Sequence, residues 1–364
     1  MMKKIAVLAG DGIGEEVMAE AIKVLKKVEE KFNLDFEYTK GLIGGAAFPV
    51  HGNHFPEETR LLAENSDAVL FGSVGGPVDA QLDPQWKDCE KNSILAIRKA
   101  LGLSINLRPA PIYKELLDFC PLKTKITGTE NFEILVIREL SGGIYFGEHS
   151  RPTENTAKDV AEYDRDTIQK IAKFSFEAAM NRDKKLTSVD KANVLETSRL
   201  WREVFEKESE NFPDVELRHV LVDNMVQQLV KNPRQFDVVA CPNLFGDIIS
   251  DLTSVLPGSL GMLGSASFGE KGIHLYEPSG GSAPDIQGLG VANPIAQILS
   301  VAMMLRFSFQ EEEAAQAIEN AVSKVIKKGY RTGDIYSKNN TSEISGKLKK
   351  VGSVEMGNAI CEEI

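Results

Sequence analysis

Apolar runs and helical stripes alternate along the first third of the chain. Residues 5–9 form a short apolar run that reads as a buried strand. Residues 15–31 then set Val17, Ala21, Val24, Leu25 and Val28 on one side of a helix. A strand over 35–38, a helix over 56–65 opened by Pro56, and a strand over 68–72 continue the pattern. A helix over 91–101 leads into a strand starting at 104. Such alternation predicts an α/β layer architecture. The middle section predicts a strand over 132–139, broken by Gly142-Gly143 and resuming at 144–146, with a hairpin or projecting arm. Helices are expected over 164–181 and 196–208, and strands over 186–190, 217–222 and 236–241. After Gly258 the chain is rich in Gly, Ser and Pro until Pro294, and helices over 295–307 and 311–327 close it.

With 364 residues, two domains are expected. The net charge of -11 argues against a nucleic-acid partner. No run of apolar residues is long enough for a membrane span, and the N-terminus reads as a first strand rather than a signal peptide. Cys89, Cys120, Cys241 and Cys361 are scattered without a C-x-x-C pair, which fits a reducing, cytoplasmic setting. The sequons in Asn339-Asn340-Thr341-Ser342 would go unused there.

The strongest chemical signal is Asn243-Leu-Phe-Gly-Asp247-Ile-Ile-Ser-Asp251. Residues four apart share a helix face, with a rise of about 6 Å between them. Two carboxylates so placed suit one hard divalent cation, Mg2+ or Mn2+. Alone, the segment reads equally as a helix start with an acid near its positive end. Gly10-Asp-Gly12-Ile-Gly14 sits at a strand-to-helix turn, but Glu15 stands where a dinucleotide fingerprint needs a third glycine. These glycines therefore read first as a tight turn. Arg98, Arg108 and Arg138 lie on a helix and at strand ends, where a guanidinium can clamp a carboxylate. Lys191 follows an apolar strand, a position from which an amine can act as a base, and Tyr145 offers a hydroxyl as an acid. Each could equally be an ion-paired or packed residue. His51 and His54 read as polar loop residues.

These segments resemble, in order and through nearly the whole chain, the metal-dependent β-hydroxyacid oxidative decarboxylases, relatives of isocitrate dehydrogenase. The resemblance is carried by Leu8-Ala-Gly-Asp-Gly-Ile-Gly14, Asn106-Leu-Arg108-Pro, Val136-Ile-Arg138-Glu-Leu, Ser141-Gly-Gly-Ile-Tyr145-Phe-Gly147 and Val189-Asp-Lys191-Ala-Asn193-Val194-Leu. It continues through Val222-Asp223-Asn-Met, Pro242-Asn-Leu-Phe-Gly-Asp247-Ile-Ile-Ser-Asp251 and Glu277-Pro-Ser-Gly-Gly-Ser-Ala-Pro-Asp285-Ile286.

The resemblance implies a two-domain open α/β sandwich of the isocitrate/isopropylmalate dehydrogenase type, not a Rossmann fold. One domain would take 1–103 and 259–364, the NAD side; the other would take 104–258, with the metal, the catalytic residues and the dimer contact. Asp223, Asp247 and Asp251 would hold Mg2+ or Mn2+. Arg98, Arg108 and Arg138 would grip the substrate carboxylates, with Asp223 also at the substrate. Lys191 would take the 2-hydroxyl proton as hydride passes to NAD, and Tyr145 would protonate the product carbanion after loss of carbon dioxide. The family arrangement implies a homodimer with shared active sites, Lys191 and Asp223 reaching in from the second copy.

Gly281, Ser282, Ala283, Pro284, Asp285, Ile286 and Asn293 would bind the cofactor. A carboxylate at 285 accepts hydrogen bonds from ribose hydroxyls and repels a 2′-phosphate, favouring NAD over NADP. Some relatives carry a His at position 280, where this chain has Gly280, so the adenine contact departs from theirs. Ile94, Leu95 and Val194 would receive an isopropyl group, since a third carboxylate against Ile94 would be buried unpaired. The implied activity is oxidative decarboxylation of 3-isopropylmalate in leucine biosynthesis. Isocitrate, homoisocitrate, tartrate or D-malate are alternative substrates. A silent regulatory subunit is a rival of another class, but such chains lose the metal aspartate or the lysine retained here.

Overall fold

The computed structural model describes residues 2–80, 82–337 and 348–364. The sequon stretch at 339–342 lies outside the described residues. The chain divides into two compact units, one of residues 1–103, 115–119 and 258–364, the other of 104–114 and 120–257.

Unit one is built on a sheet in the spatial order Phe36–Lys40, Lys3–Gly10, Ala68–Ser73, His274–Pro278, Gly264–Gly269. The first four strands run parallel and the last runs antiparallel to its neighbour. Parallel strands are covered on both faces and read as continuous apolar runs, which is why Ala68–Ser73 is buried throughout. The helix Gly14–Phe32 buries the stripe Val17, Ala21, Val24, Leu25 and Val28 that its period predicts. Ile295–Phe307 is buried almost all round and forms the central helix of this unit. The expected helix over 91–101 is interrupted at Ser93, whose backbone leaves helical geometry and separates Cys89–Asn92 from Ile94–Leu101. A further helix, Ser353–Glu363, closes the chain beyond the two expected. It packs on Gly14–Phe32, where a Cβ at Gly357 would lie 1.9 Å from Glu20 Oε2.

In unit two the strands run in the order Leu103–Ile112, Phe132–Glu139, Val238–Cys241, Lys185–Asp190, Glu216–Leu221. The first pair is antiparallel and the rest are parallel. Helices Arg165–Met180 and Glu196–Ser209 pack together through Phe176, Trp201 and Phe205, all fully buried. Two expectations change here. The strand expected over 217–222 ends at Leu221, and Val222–Lys231 is an amphipathic helix that buries Met225 and Leu229 at i, i+4 spacing. Residues 144–146 are not a strand. Gly143 takes φ +77° and opens a single 3-10 turn, Gly143–Tyr145. The hairpin lies just beyond, as the exposed antiparallel ribbon His149–Thr153 with Thr156–Asp159. No helix among the described residues is long and apolar enough to cross a membrane.

Candidate active site

In unit two, the parallel strands deliver the candidate residues at one end. Arg138 stands near the carboxyl end of Phe132–Glu139, and Lys191 directly follows Lys185–Asp190. Asp223 lies just past Glu216–Leu221, and Val238–Cys241 feeds the helix Asn243–Ser254 that carries Asp247 and Asp251. Carboxyl ends of parallel strands leave their loops and helix starts free to hold ligands.

Arg138 is the buried hub of this cluster. Its Nη1 forms an ion pair with Asp247 Oδ1, and its Nη2 donates to Asn243 Oδ1 at 2.9 Å. The hydroxyl of Tyr145 donates to Asp247 Oδ2 at 3.0 Å, and the Arg138 guanidinium lies over the Tyr145 ring, 5.9 Å from its centroid. Partial burial, and then the hydrogen bond to Asp247, push the Tyr145 phenol above its ordinary value. It thus stays a proton donor near neutrality. Tyr145 is 45% exposed, so packing is not its role.

Arg108 shares a sheet face with Asn106, whose register partner is Arg138. Its Nε donates to Asn106 Oδ1 at 2.7 Å and its Nη1 to Ser250 Oγ at 3.0 Å, with Asp251 Oδ1 at 3.7 Å. Lys191 Nζ is paired with Asp223 Oδ1, and this contact holds the Asp223 carboxyl below the usual carboxylate range. Asp223, Asp247 and Asp251 form no three-ligand metal cluster within one chain among the described residues. Val194 is 61% exposed beyond the lysine.

In unit one, Arg98 donates from Nη2 to Glu277 Oε1 at 2.8 Å, while its Nε is buried without a partner. Ile94, one turn earlier, is half-buried and Leu95 is exposed, so neither is a core residue. At the carboxyl ends of Lys3–Gly10, Ala68–Ser73 and His274–Pro278 lies a cavity of about 380 Å³. Its walls include Ile13, Val17, Gly280, Gly281, Ala283, Ile286, Asn293 and Gln297. The Gly10–Gly14 turn is locked to the facing loop: Ile13 N–H donates to Ser282 O at 2.8 Å, and a Cβ at Gly12 would lie 1.9 Å from that oxygen. Ser282 and Pro284 belong to the same loop, and Asp285 is exposed at its tip.

The isocitrate/isopropylmalate dehydrogenase family model matches residues 4–360. The chain belongs to the isocitrate/isopropylmalate dehydrogenase family. It is 50% identical to the 3-isopropylmalate dehydrogenases of Haemophilus influenzae and Thermotoga maritima, over 99% of both chains in each case. Isocitrate dehydrogenase from Methylococcus capsulatus superposes with a TM-score of 0.83 at 30% identity, covering 100% of this chain and 99% of that one. The apo β-decarboxylating dehydrogenase of Thermococcus kodakarensis gives 0.79 at 35% identity, covering 100% and 96%.

The residues present fit the groups that this family implies. Asp247 and Asp251 offer oxygen donors from one helix face, and an all-oxygen set suits Mg2+ or Mn2+. The cavity in unit one fits part of a dinucleotide. It lies at the starts of two helices, and Gln297 in its wall carries amide N and O atoms that are buried without partners. The motif reading did not single out several residues that matter here. Gln297 and Asp334 line the cavity, and Asp334 Oδ2 accepts from Asn293 Nδ2 at 3.0 Å. Glu277 was legible only as part of a motif, yet it is the partner of Arg98. No spacing rule marks Gln297, because only packing of its helix places it in the wall.

Proposed function

We propose that this chain catalyses the NAD- and divalent-metal-dependent oxidative decarboxylation of (2R,3S)-3-isopropylmalate to 4-methyl-2-oxopentanoate, carbon dioxide and NADH, a step of leucine biosynthesis. The observation that carries this reading is the cluster of Arg138, Tyr145 and Asp247, joined by direct contacts, with Arg108 bonded to Ser250 on the same helix as Asp247, in a chain half identical to 3-isopropylmalate dehydrogenases.

Arg98, Arg108 and Arg138 grip the malate carboxylates. Asp247 and Asp251, with Asp223, hold the metal, which when bound supplies Lewis-acid polarisation of the substrate oxygen. Lys191 takes the proton of the 2-hydroxyl as C2 is oxidised. Tyr145, kept protonated and aimed by Asp247, gives its proton to the carbon that carbon dioxide leaves. The loop Gly281–Ile286 and Asn293 bind NAD, and Asp285 accepts from the ribose hydroxyls. Exposed Leu95 and Val194, with Ile94, take the isopropyl group.

The active unit is a homodimer, with Lys191 and Asp223 supplied by the second copy. The free, mostly buried cysteines fit work in the reducing cytoplasm.

The test is NADH production with 3-isopropylmalate, with and without EDTA, with NADP in place of NAD, and against isocitrate, homoisocitrate, tartrate and D-malate. Preference for any of those four acids, or activity undiminished by EDTA, would overturn the reading.

A further inference from the structure

Three segments must keep a fixed relation for the cluster in unit two to act: the end of the strand bearing Arg138, the turn bearing Tyr145, and the helix bearing Asp247 and Asp251. One side chain touches all three. Tyr163 follows the exposed ribbon and precedes the helix Arg165–Met180. Its hydroxyl accepts from the backbone N–H of Asn243 at 2.8 Å. That N–H opens the metal-bearing helix and has no partner within it. The carboxylate of Glu139, the residue next to Arg138, lies beside the same hydroxyl and acts on it electrostatically.

The ring does the rest. A Cβ at Gly142 would lie 2.7 Å from the Tyr163 ring, and one at Gly143 would lie 2.5 Å from its hydroxyl oxygen. The glycines that begin the Tyr145 turn therefore sit directly on Tyr163. Gly143 N–H also donates to Glu162 O at 2.9 Å. Trp201, fully buried, braces the ring edge-on at 6.2 Å. Glu139 extends the joint by accepting from Gly142 N–H at 2.9 Å, and Asn243 Nδ2 reaches back to Gly142 O at 3.1 Å. Burial, with Glu139 beside it, keeps the Tyr163 hydroxyl protonated.

We propose that Tyr163 is the positioning residue that sets Tyr145, Arg138 and the aspartates of helix Asn243–Ser254 in register with one another. This rests on the function proposed above. It gives a role to a tyrosine that touches no reacting group and that no motif marks. Losing the hydroxyl would free the N–H that starts the helix while leaving the ring packed. The aspartates would then shift relative to Arg138 and Tyr145.

The experiment compares Tyr163→Phe with the wild-type protein. Three quantities are read: kcat with 3-isopropylmalate, KM for NAD, and Mn2+ affinity by electron paramagnetic resonance without substrate or NAD. Misplacement of reacting groups by a fraction of an ångström predicts a kcat lower by about tenfold or more, with a comparable weakening of Mn2+ binding. KM for NAD should stay within about twofold, because the proposed cofactor residues belong to unit one. A merely structural tyrosine would lower thermal stability without this split. Folded Tyr163→Phe protein with kcat and Mn2+ affinity both within twofold of wild type overturns the proposal. If Tyr163→Phe does not fold, Glu139→Gln serves, since it removes the charge beside the hydroxyl and leaves the ring. It must show the same split at smaller amplitude, and unchanged values overturn the proposal equally. Wild-type protein that binds Mn2+ but ignores 3-isopropylmalate would sink the substrate reading alone, because the Mn2+ arm still tests Tyr163.

Discussion

Tyr145 donates its hydroxyl to Asp247 Oδ2 at 3.0 Å, so the proposed acid and a proposed metal ligand share one hydrogen bond. The contact orients the phenol, and partial burial with the neighbouring carboxylate holds its proton. Tyr145→Phe removes the proton and keeps the ring under Arg138. Loss of a positioned general acid predicts kcat lower by about 10²–10⁴, with KM for 3-isopropylmalate little changed. Steady-state NADH production reads this.

If the second copy supplies Lys191 and Asp223, two dead variants should rescue each other. Lys191→Ala and Asp247→Ala each inactivate their own homodimer. In a mixed dimer one site pairs an intact Asp247 with an intact Lys191, and the other site carries both changes. Random equal mixing gives half heterodimers with one good site in two, so recovery should approach about a quarter of wild-type activity. Lack of recovery after verified subunit exchange would place Lys191 in the site of its own chain.

Much of this was legible before any coordinates, and the reasons differ by element. The Val17–Val28 stripe and the strand Ala68–Ser73 are local patterns, and a period or an apolar run suffices to read them. The two-aspartate helix was equally plain. The helix Val222–Lys231 was hidden, because Asp223-Asn224 and Gln227-Gln228 mask a narrow stripe of Met225 and Leu229. The turn at Gly143–Tyr145 depends on a positive φ, which two glycines permit but do not compel. Gln297 and Tyr163 acquire meaning only through groups far away in sequence, Asn243 lying 80 residues from Tyr163. No window of sequence contains both.

Asp251 has a 78% exposed side chain, and its ion partner, Arg108, lies 3.7 Å away. An exposed, weakly paired carboxylate contributes little to stability. Asp251→Asn should therefore leave the melting temperature without metal unchanged within about 1 °C. Removing one charged oxygen ligand should nevertheless raise the Mn2+ requirement for activity by about tenfold or more. Activity titrated with Mn2+ after EDTA treatment reads the effect. A large loss of metal-free stability would show that Asp251 is structural.

The cavity proposed to take the cofactor depends on the closeness of Gly12 to the Ser282 carbonyl. Gly12 has φ +58°, and a Cβ there would lie 1.9 Å from that oxygen. Gly12→Ala must push the two loops apart, and with them the wall formed by Ile13 and Ala283. Binding of NAD to the metal-free protein, followed by calorimetry, should weaken about tenfold or more, because a misplaced wall loses its packing against the ligand. At the loop tip, Asp285→Lys should lower affinity for NAD and raise it for NADP, reversing the charge that meets the 2′ position. Unchanged preference in Asp285→Lys would remove Asp285 from the cofactor site.

His219 lies on the strand Glu216–Leu221, paired beside the strand that leads to Lys191, with both ring nitrogens buried and without hydrogen-bond partners. Burial, and then the Arg202 guanidinium, hold its pKa below the ordinary value, against the weaker opposing pull of Asp190 and Glu206. In the unfolded chain the imidazole titrates near 6.5. The unfolded state therefore binds the proton first as pH falls. The contribution of neutral His219 to stability is full above about pH 6.5 and is lost as pH drops through its lower folded value. His274, also lowered by burial, adds a parallel loss that a change at 219 leaves intact. His219→Gln removes one of these two terms. The thermal stability of the wild type relative to His219→Gln should therefore shrink between pH 7.5 and pH 5.5. Equal differences at the two pH values would show that His219 is protonated alike in both states.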